Sequence, residues 1–273
     1  MKRVVWATDI HLNFLGRPER RAFAESIVQE APDAVLLSGD VAESRDVVAC
    51  LEEMAEIVRR PIYFVLGNHD FYRGSITRTR LKVARAAADS EFLVYLNTQE
   101  VVELTPETAL VGHDGWGDAR LGDYRNSDLV LNDFVLIDDL VTWDDDPEEL
   151  DREALAEKLQ VLGDEAGHHF ARVLPEALAA YPRVVAVTHV PPFREAAWYD
   201  GKPSNDAWLP YFACKAAGDC MLEAMRARPD RELLVLCGHT HGSGEIRILE
   251  NLEVLTGGAR YRHPAIGRVF EFA

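Results

Sequence analysis

The sequence predicts an α/β fold on three observations. Short apolar runs alternate with helical patterns through the first third of the chain, each run is apolar throughout instead of alternating, and the residues that end the runs are Asp, Asn and His. Continuous apolar runs belong to strands covered on both faces.

The first run, VVWAT at Val4 to Thr8, reads as a strand and is followed by helical spacing from Glu19 to Glu30. The second, AVLLS at Ala34 to Ser38, leads into a helix over Ser44 to Arg60, with Ser44 as its N-cap and Pro61 ending it. The third, IYFVL at Ile62 to Leu66, completes a βαβαβ pattern and precedes a helical stretch around Ser75 to Asp89. Short strands are expected from Phe92 to Asp114, among them VVEL and ALVGHD. From Pro147 to Tyr181, Leu150, Leu155, Leu159, Leu162, Phe170, Leu174 and Leu178 follow helical spacing, with Gly163 and Gly167 as points where a long helix could break. VVAVTH (Val184 to His189) and LLVLCGHTH (Leu233 to His241) return to the buried-strand pattern, and IRIL, LEVLTG and RVFEF read as antiparallel finishing strands. The nearest things to linkers are the acidic WDDDPEELD at Trp143 to Asp151 and the polar DGKPSND at Asp200 to Asp206. Neither divides the chain, and the acidic run Asp144 to Asp151 reads as a solvated helix N-terminus, where carboxylates suit the dipole.

Composition narrows the function classes. With 273 residues, 48% hydrophobic and 27% charged, the chain can bury a full core. Its 29 Lys+Arg against 46 Asp+Glu leave −17, which opposes stable binding along a nucleic-acid backbone or an anionic membrane. Cys50, Cys214, Cys220 and Cys237 show no CxxC spacing, so reduced, mostly buried thiols are expected. The start, MKRVVWATD, lacks the apolar core of a secretory signal, and no apolar run approaches the ~18 residues of a membrane span; a cytoplasmic location is the expectation.

The polar residues at the strand ends carry the functional reading. Asp9 and His11 follow the first strand, Gly39 and Asp40 the second, and Gly67, Asn68, His69 and Asp70 the third; His189 ends VVAVT, and Gly238 to His241 end LLVLC. Taken singly, each is an ordinary loop polar group or a satisfied histidine. Five of the nine histidines falling at strand ends favours a shared site, at the carboxyl edge where open α/β sheets bind ligands. Carboxylate and amide oxygens with imidazole nitrogens, and no thiolate, suit Mn²⁺, Fe²⁺/³⁺ or Zn²⁺. Residues at i and i+2 of an extended segment point the same way, so Asp9 with His11, and His239 with His241, can each present two ligands. Seven candidate ligands exceed the four of a closed zinc site and suffice for two metals if one carboxylate bridges.

The blocks D-I-H at Asp9, G-D-V-A-E at Gly39, G-N-H-D at Gly67, T-H at Thr188 and G-H-T-H at Gly238, in that order, resemble the signature blocks of the calcineurin-like metallophosphoesterase superfamily. The resemblance implies a four-layer α/β/β/α sandwich of two mixed sheets flanked by helices, a single domain over residues 1–273 with a variable insertion at roughly 115–182. It implies that Asp9, His11, Asp40 and His241 hold one divalent metal ion, and that Asp40 bridges to a second held with Asn68, His189 and His239. His69 would contact the phosphate or protonate the leaving oxygen, with Asp70 orienting it. The activity implied is hydrolysis of small phosphate esters, a phosphodiester or nucleotide-type substrate preferred, by in-line attack of a hydroxide shared between two metals. A phosphomonoesterase, a DNA-repair-type nuclease and a metal-free interaction module are the alternatives. The charge balance opposes the nuclease, which needs a basic track, and the intact ligand set opposes the metal-free module.

Two segments outside the blocks offer substrate contacts. VGHDGWGDARLGDY, Val111 to Tyr124, supplies His113 and Arg120, the latter because a planar guanidinium pairs with phosphate oxygens; the same residues equally fit a glycine-rich turn with a surface ion pair. In the loop after His189, Trp198 or Tyr199 could stack on a base or aromatic leaving group, or pack beneath the loop.

Overall fold

The computed structural model describes residues 1–142 and 150–273. In chain order come β1 (Lys2–Ala7), α1 (Arg17–Gln29), β2 (Ala34–Ser38), α2 (Val47–Val58), β3 (Ile62–Val65), α3 (Ile76–Ala88) and β4 (Leu93–Tyr95). The hairpin β5 (Val102–Thr105) and β6 (Thr108–His113) follows, then a short α4 (Asp133–Leu136), α5 (Arg152–Ala180) and β7 (Arg183–Thr188). A small hairpin, β8 (Trp198–Tyr199) and β9 (Lys202–Pro203), precedes α6 (Leu209–Phe212), α7 (Lys215–Ala227), β10 (Glu232–Cys237), β11 (Gly244–Leu249), β12 (Leu252–Thr256) and β13 (Arg268–Phe272).

Two mixed sheets result. The first runs β13-β1-β2-β3-β4, parallel except for β13; the second runs β11-β12-β10-β7-β6-β5, parallel except for the edge strands β11 and β5. Side-chain alternation along each strand makes the layers. On β1, Val4 and Trp6 join Leu36, Val65, Leu110, Val185 and Leu236 in a core between the sheets, while Val5 and Ala7 face Phe23, Ile27, Leu51 and Met54 of α1 and α2. The outer face of the second sheet is covered by Phe170 and Leu174 of α5 and Met221 and Met225 of α7. Helix, sheet, sheet, helix is the order, as the sequence implied. Leu36, Leu110, Val185 and Leu236 are fully buried, so truncating one such leucine to alanine costs about 2–5 kcal/mol.

Several local expectations are corrected. Ser44 does not cap α2, which begins at Val47; its hydroxyl instead meets the Thr79 hydroxyl of α3 at 2.8 Å, a tertiary partner that outcompetes the local one. α1 starts earlier than Glu19, with Pro18 in its first turn, where a missing amide hydrogen costs nothing. Gly163 and Gly167 break nothing: α5 is continuous, and a side chain at Gly163 would collide with Asp118. LEVLTG, as β12, runs parallel to β10 because β11 occupies the edge and turns it back inward; β11 and β13 are antiparallel as expected. Of the acidic run, residues 144–149 lie outside the described residues, and Asp151 caps α5 by accepting from the Ala154 amide at 2.9 Å. The polar DGKPSND holds the tight turn of the β8–β9 hairpin, with Asp200 and Gly201 at φ 51° and 74°. Among the described residues, no helix is long and apolar enough to cross a membrane.

Candidate metal centre

β1, β2 and β3 in one sheet, and β7 and β10 in the other, deliver their C-terminal ends to a common edge. Backbone hydrogen bonds fix the loops that leave them: the Asp9 amide donates to the Gly39 carbonyl (3.0 Å), His11 to Asp40 (2.9 Å) and Gly238 to His189 (2.9 Å). Asp9, His11, Asp40, His239 and His241 all adopt positive φ, between 43° and 71°. Left-handed backbone at non-glycine residues is uncommon and persists where the surroundings impose it, as at functional sites. At Gly67 any Cβ would strike the Asp40 carboxylate, which explains the glycine of GNHD.

Two clusters share this edge. Asp9, His11, Asp40 and His241 each bring one donor atom to within 4.8 Å of the others. Beside them, Asn68 Oδ1 lies 3.0 Å from His189 Nε2 and 2.9 Å from His239 Nδ1, and the two imidazole nitrogens are 3.3 Å apart. Their outer bonds decide what those atoms carry. His189 Nδ1 sits 2.8 Å from the Ser38 carbonyl and His239 Nε2 3.1 Å from the Tyr211 carbonyl; a carbonyl only accepts, so those nitrogens hold the protons and the inward ones hold lone pairs. Asn68 Nδ2 donates to Asp133 Oδ1 (2.9 Å), which turns Oδ1 inward as well. Three acceptors facing one another repel unless a cation lies among them. Asp40 reaches both clusters, Oδ1 at 3.4 Å from His189 Nε2 and Oδ2 at 3.8 Å from His11 Nε2.

Titration behaviour fits the same demand. Burial first, then the charges of Asp9 and Asp70, push the Asp40 carboxyl well above the usual range. Burial also opposes ionisation of Asp9, yet a hydrogen bond with His241 and the charges of His189, His241 and His11 hold its carboxyl below that range. Burial presses the His11 and His239 imidazoles down to about 3, so both are neutral, the form that binds a metal. His69 is likewise neutral, pushed to about 2 by burial and then by the charges of His11 and His189.

With this geometry in view, the family model for calcineurin-like phosphoesterases matches residues 2–243. The chain belongs to that family. This phosphoesterase is therefore a metal-dependent phosphoric ester hydrolase, and family and Asp/His cluster together point to a site for two divalent metals. No significant match is found among curated protein sequences. Among solved structures it is similar to a phosphopantetheinyl hydrolase from Mycobacterium tuberculosis (TM-score 0.63, 18% identity, 93% of this chain and 89% of that one). It is also similar to a dimetal phosphatase from Danio rerio (TM-score 0.57, 15% identity, 94% and 87%) and to a 5'-nucleotidase from Candida albicans (TM-score 0.51, 11% identity, 94% and 45%). At these identities the likeness is one of fold.

The other candidates of the phosphoesterase fall differently. His69 lines the cleft, its amide donating to Asp40 Oδ1 (2.9 Å) and its ring stacked on Tyr72 with centroids 4.2 Å apart. Asp70 does not orient it. Fully buried, Asp70 accepts from the amides of Ala42 and Gly67, both at 2.8 Å, and so braces the second and third blocks against each other. Arg120 pairs with Asp118 and Asp164 and does not line the cleft. His113 is buried, accepts from the Gly115 amide (3.1 Å) and packs on His169. Two contributors escaped the sequence reading. Asp133, on α4, also accepts from the Tyr72 hydroxyl at 2.7 Å, and no motif marks it. Tyr261 lies outside the matched range; its ring is 4.6 Å from that of His11 and its hydroxyl 3.4 Å from His69 Nε2.

Proposed function

We propose that the protein hydrolyses small phosphate esters, with a phosphodiester or nucleotide-type substrate preferred, at two divalent ions held by Asp9, His11, Asp40 and His241 and by Asp40, Asn68, His189 and His239. The observation that carries this reading is the convergence of proton-free donors from Asn68, His189 and His239 beside the Asp/His quartet, with Asp40 spanning the two. When bound, the ions supply a nucleophilic water at neutral pH and neutralise charge on the phosphoryl oxygens. Oxygen and imidazole donors favour Mn²⁺, Fe²⁺/³⁺ or Zn²⁺.

The chain's own side chains do the rest. Asp133 and the Ser38 and Tyr211 carbonyls fix the rotamers of Asn68, His189 and His239, so no reorganisation is needed when the phosphoryl group arrives. His69, at the cleft wall and neutral, is placed to donate a hydrogen bond from its ring N–H to a phosphoryl oxygen. The cleft of about 400 Å³ matches a small ester. Net charge −17 opposes long nucleic-acid strands, and four free cysteines fit a reducing compartment such as the cytoplasm.

A hydrolysis screen with Mn²⁺, comparing aryl diesters, aryl monoesters, cyclic nucleotides and single-stranded DNA, tests the reading. Turnover of diesters or nucleotides is the expected result. Strong DNA cleavage, or no metal bound at all, would overturn it.

A further inference from the structure

One wall of the cleft is not used by the phosphoryl chemistry. Tyr199, at the turn of the β8–β9 hairpin, stacks on Trp208 with ring centroids 6.4 Å apart and planes 22° apart. Trp208 packs on Phe212 at 4.9 Å, and Phe212 stands edge-on to the candidate ligand His239 at 5.1 Å. A ladder of aromatic faces thus runs from the surface to the metal centre. Leu129, Val130 and Leu131 line the same cleft. Tyr199 is 54% exposed and Val130 56%, so the mouth offers apolar surface to water.

The charges of the cleft are as informative as its rings. Among the described residues that line it, none is lysine or arginine; its titratable side chains are Asp40, three histidines and three tyrosines. A second phosphate or a carboxylate on the substrate needs a cationic partner to replace its hydration. An aromatic or extended apolar group needs only the faces already present, and stacking tolerates many ring types.

We propose that this wall is the subsite for the alcohol portion of the ester, and that it selects an uncharged group with an aromatic or extended apolar face over a group bearing a further anion. Tyr199, Trp208 and Phe212 are then specificity determinants. The proposal rests on the phosphoesterase reading above, and its test separates the two.

The probes are non-hydrolysable phosphonates titrated calorimetrically into the Mn²⁺-loaded protein. Phenylphosphonate is expected to bind about 5- to 150-fold more tightly than methylphosphonate, the range of one stacked ring. 4-Carboxyphenylphosphonate, whose carboxylate lies far from the metals, loses that advantage. Tyr199→Ser and Trp208→Ala each reduce the phenyl-to-methyl ratio while methylphosphonate affinity holds. Tyr199 is exposed enough that its variant folds even where Trp208→Ala does not. Equal affinity for phenyl and methyl probes overturns this proposal alone, as does a ratio unchanged in both folded variants or a carboxylate that strengthens binding. If neither phosphonate binds, the proposed two-metal site falls and the proposal with it.

Discussion

Replacing Asp133 by alanine probes how the second metal position is held. Asp133 is only 5% exposed, and its Oδ1 accepts from Asn68 Nδ2 at 2.9 Å and from the Tyr72 hydroxyl at 2.7 Å. The substitution strands two buried donors at about 1–3 kcal/mol each. A domain's whole stability is about 5–15 kcal/mol, so the variant stays folded with a lowered Tm. The greater effect is on Asn68. Freed from Asp133, its amide is no longer compelled to aim Oδ1 at His189 and His239, and loss of such an outer partner weakens metal binding about 10- to 100-fold. Asp133→Asn keeps an acceptor oxygen at the same place and should retain most of the affinity. Calorimetric titration of Mn²⁺ into metal-stripped protein, with thermal unfolding as the fold control, measures both. Wild-type affinity for the second ion in Asp133→Ala would refute the reasoning; a loss in Asp133→Asn as large as in Asp133→Ala would show that charge, not the acceptor, matters.

Three further outcomes are expected. Asp40→Ala removes an oxygen from each cluster, so bound metal and activity fall together, and full metal content by elemental analysis would rule out the bridging role. His69→Ala keeps its metal but slows turnover by ~10²-fold or more, the cost of losing one donor to the phosphoryl oxygens; single-turnover rates equal to wild type would end the assignment. Arg120→Ala leaves buried Asp118 without its guanidinium partner, so Tm drops while kcat/KM holds; a fall in kcat/KM at unchanged Tm would return Arg120 to the substrate.

Sequence alone picked out the Asp, Asn and His residues that the structure gathers at one edge because each sits where a strong local pattern stops. An apolar run followed by Asp, Asn or His marks a strand end, and strands parallel within a sheet end at one edge. What it missed depends on distant partners. Arg120 invited a phosphate role because nothing near it in sequence shows that Asp164, on α5, completes its ion pairing. Asp133 lies 65 residues from Asn68, inside the stretch that carries no motif. Asp70 looked like a companion of His69 by adjacency, yet its two carboxylate oxygens are taken by backbone amides of Ala42 and Gly67. Ser44 followed a sound capping rule and lost to a hydroxyl on another helix.

The origin of the proposed ligands has a mechanical consequence. Asp9, Asp40 and Asn68 follow strands of the five-stranded sheet, whereas His189, His239 and His241 follow strands of the six-stranded one, and the His239 amide already reaches across to both Asp9 oxygens at 3.0 and 3.1 Å. Apolar contact between the two sheets is not directional, so by itself it ties no particular residue of one sheet edge to the other. Ions held from both sides, as proposed, would act as rivets between the two edges. Occupancy of the proposed centre would then stiffen the sandwich along its carboxyl edge and hold the two histidine-bearing loops in line with the carboxylates opposite.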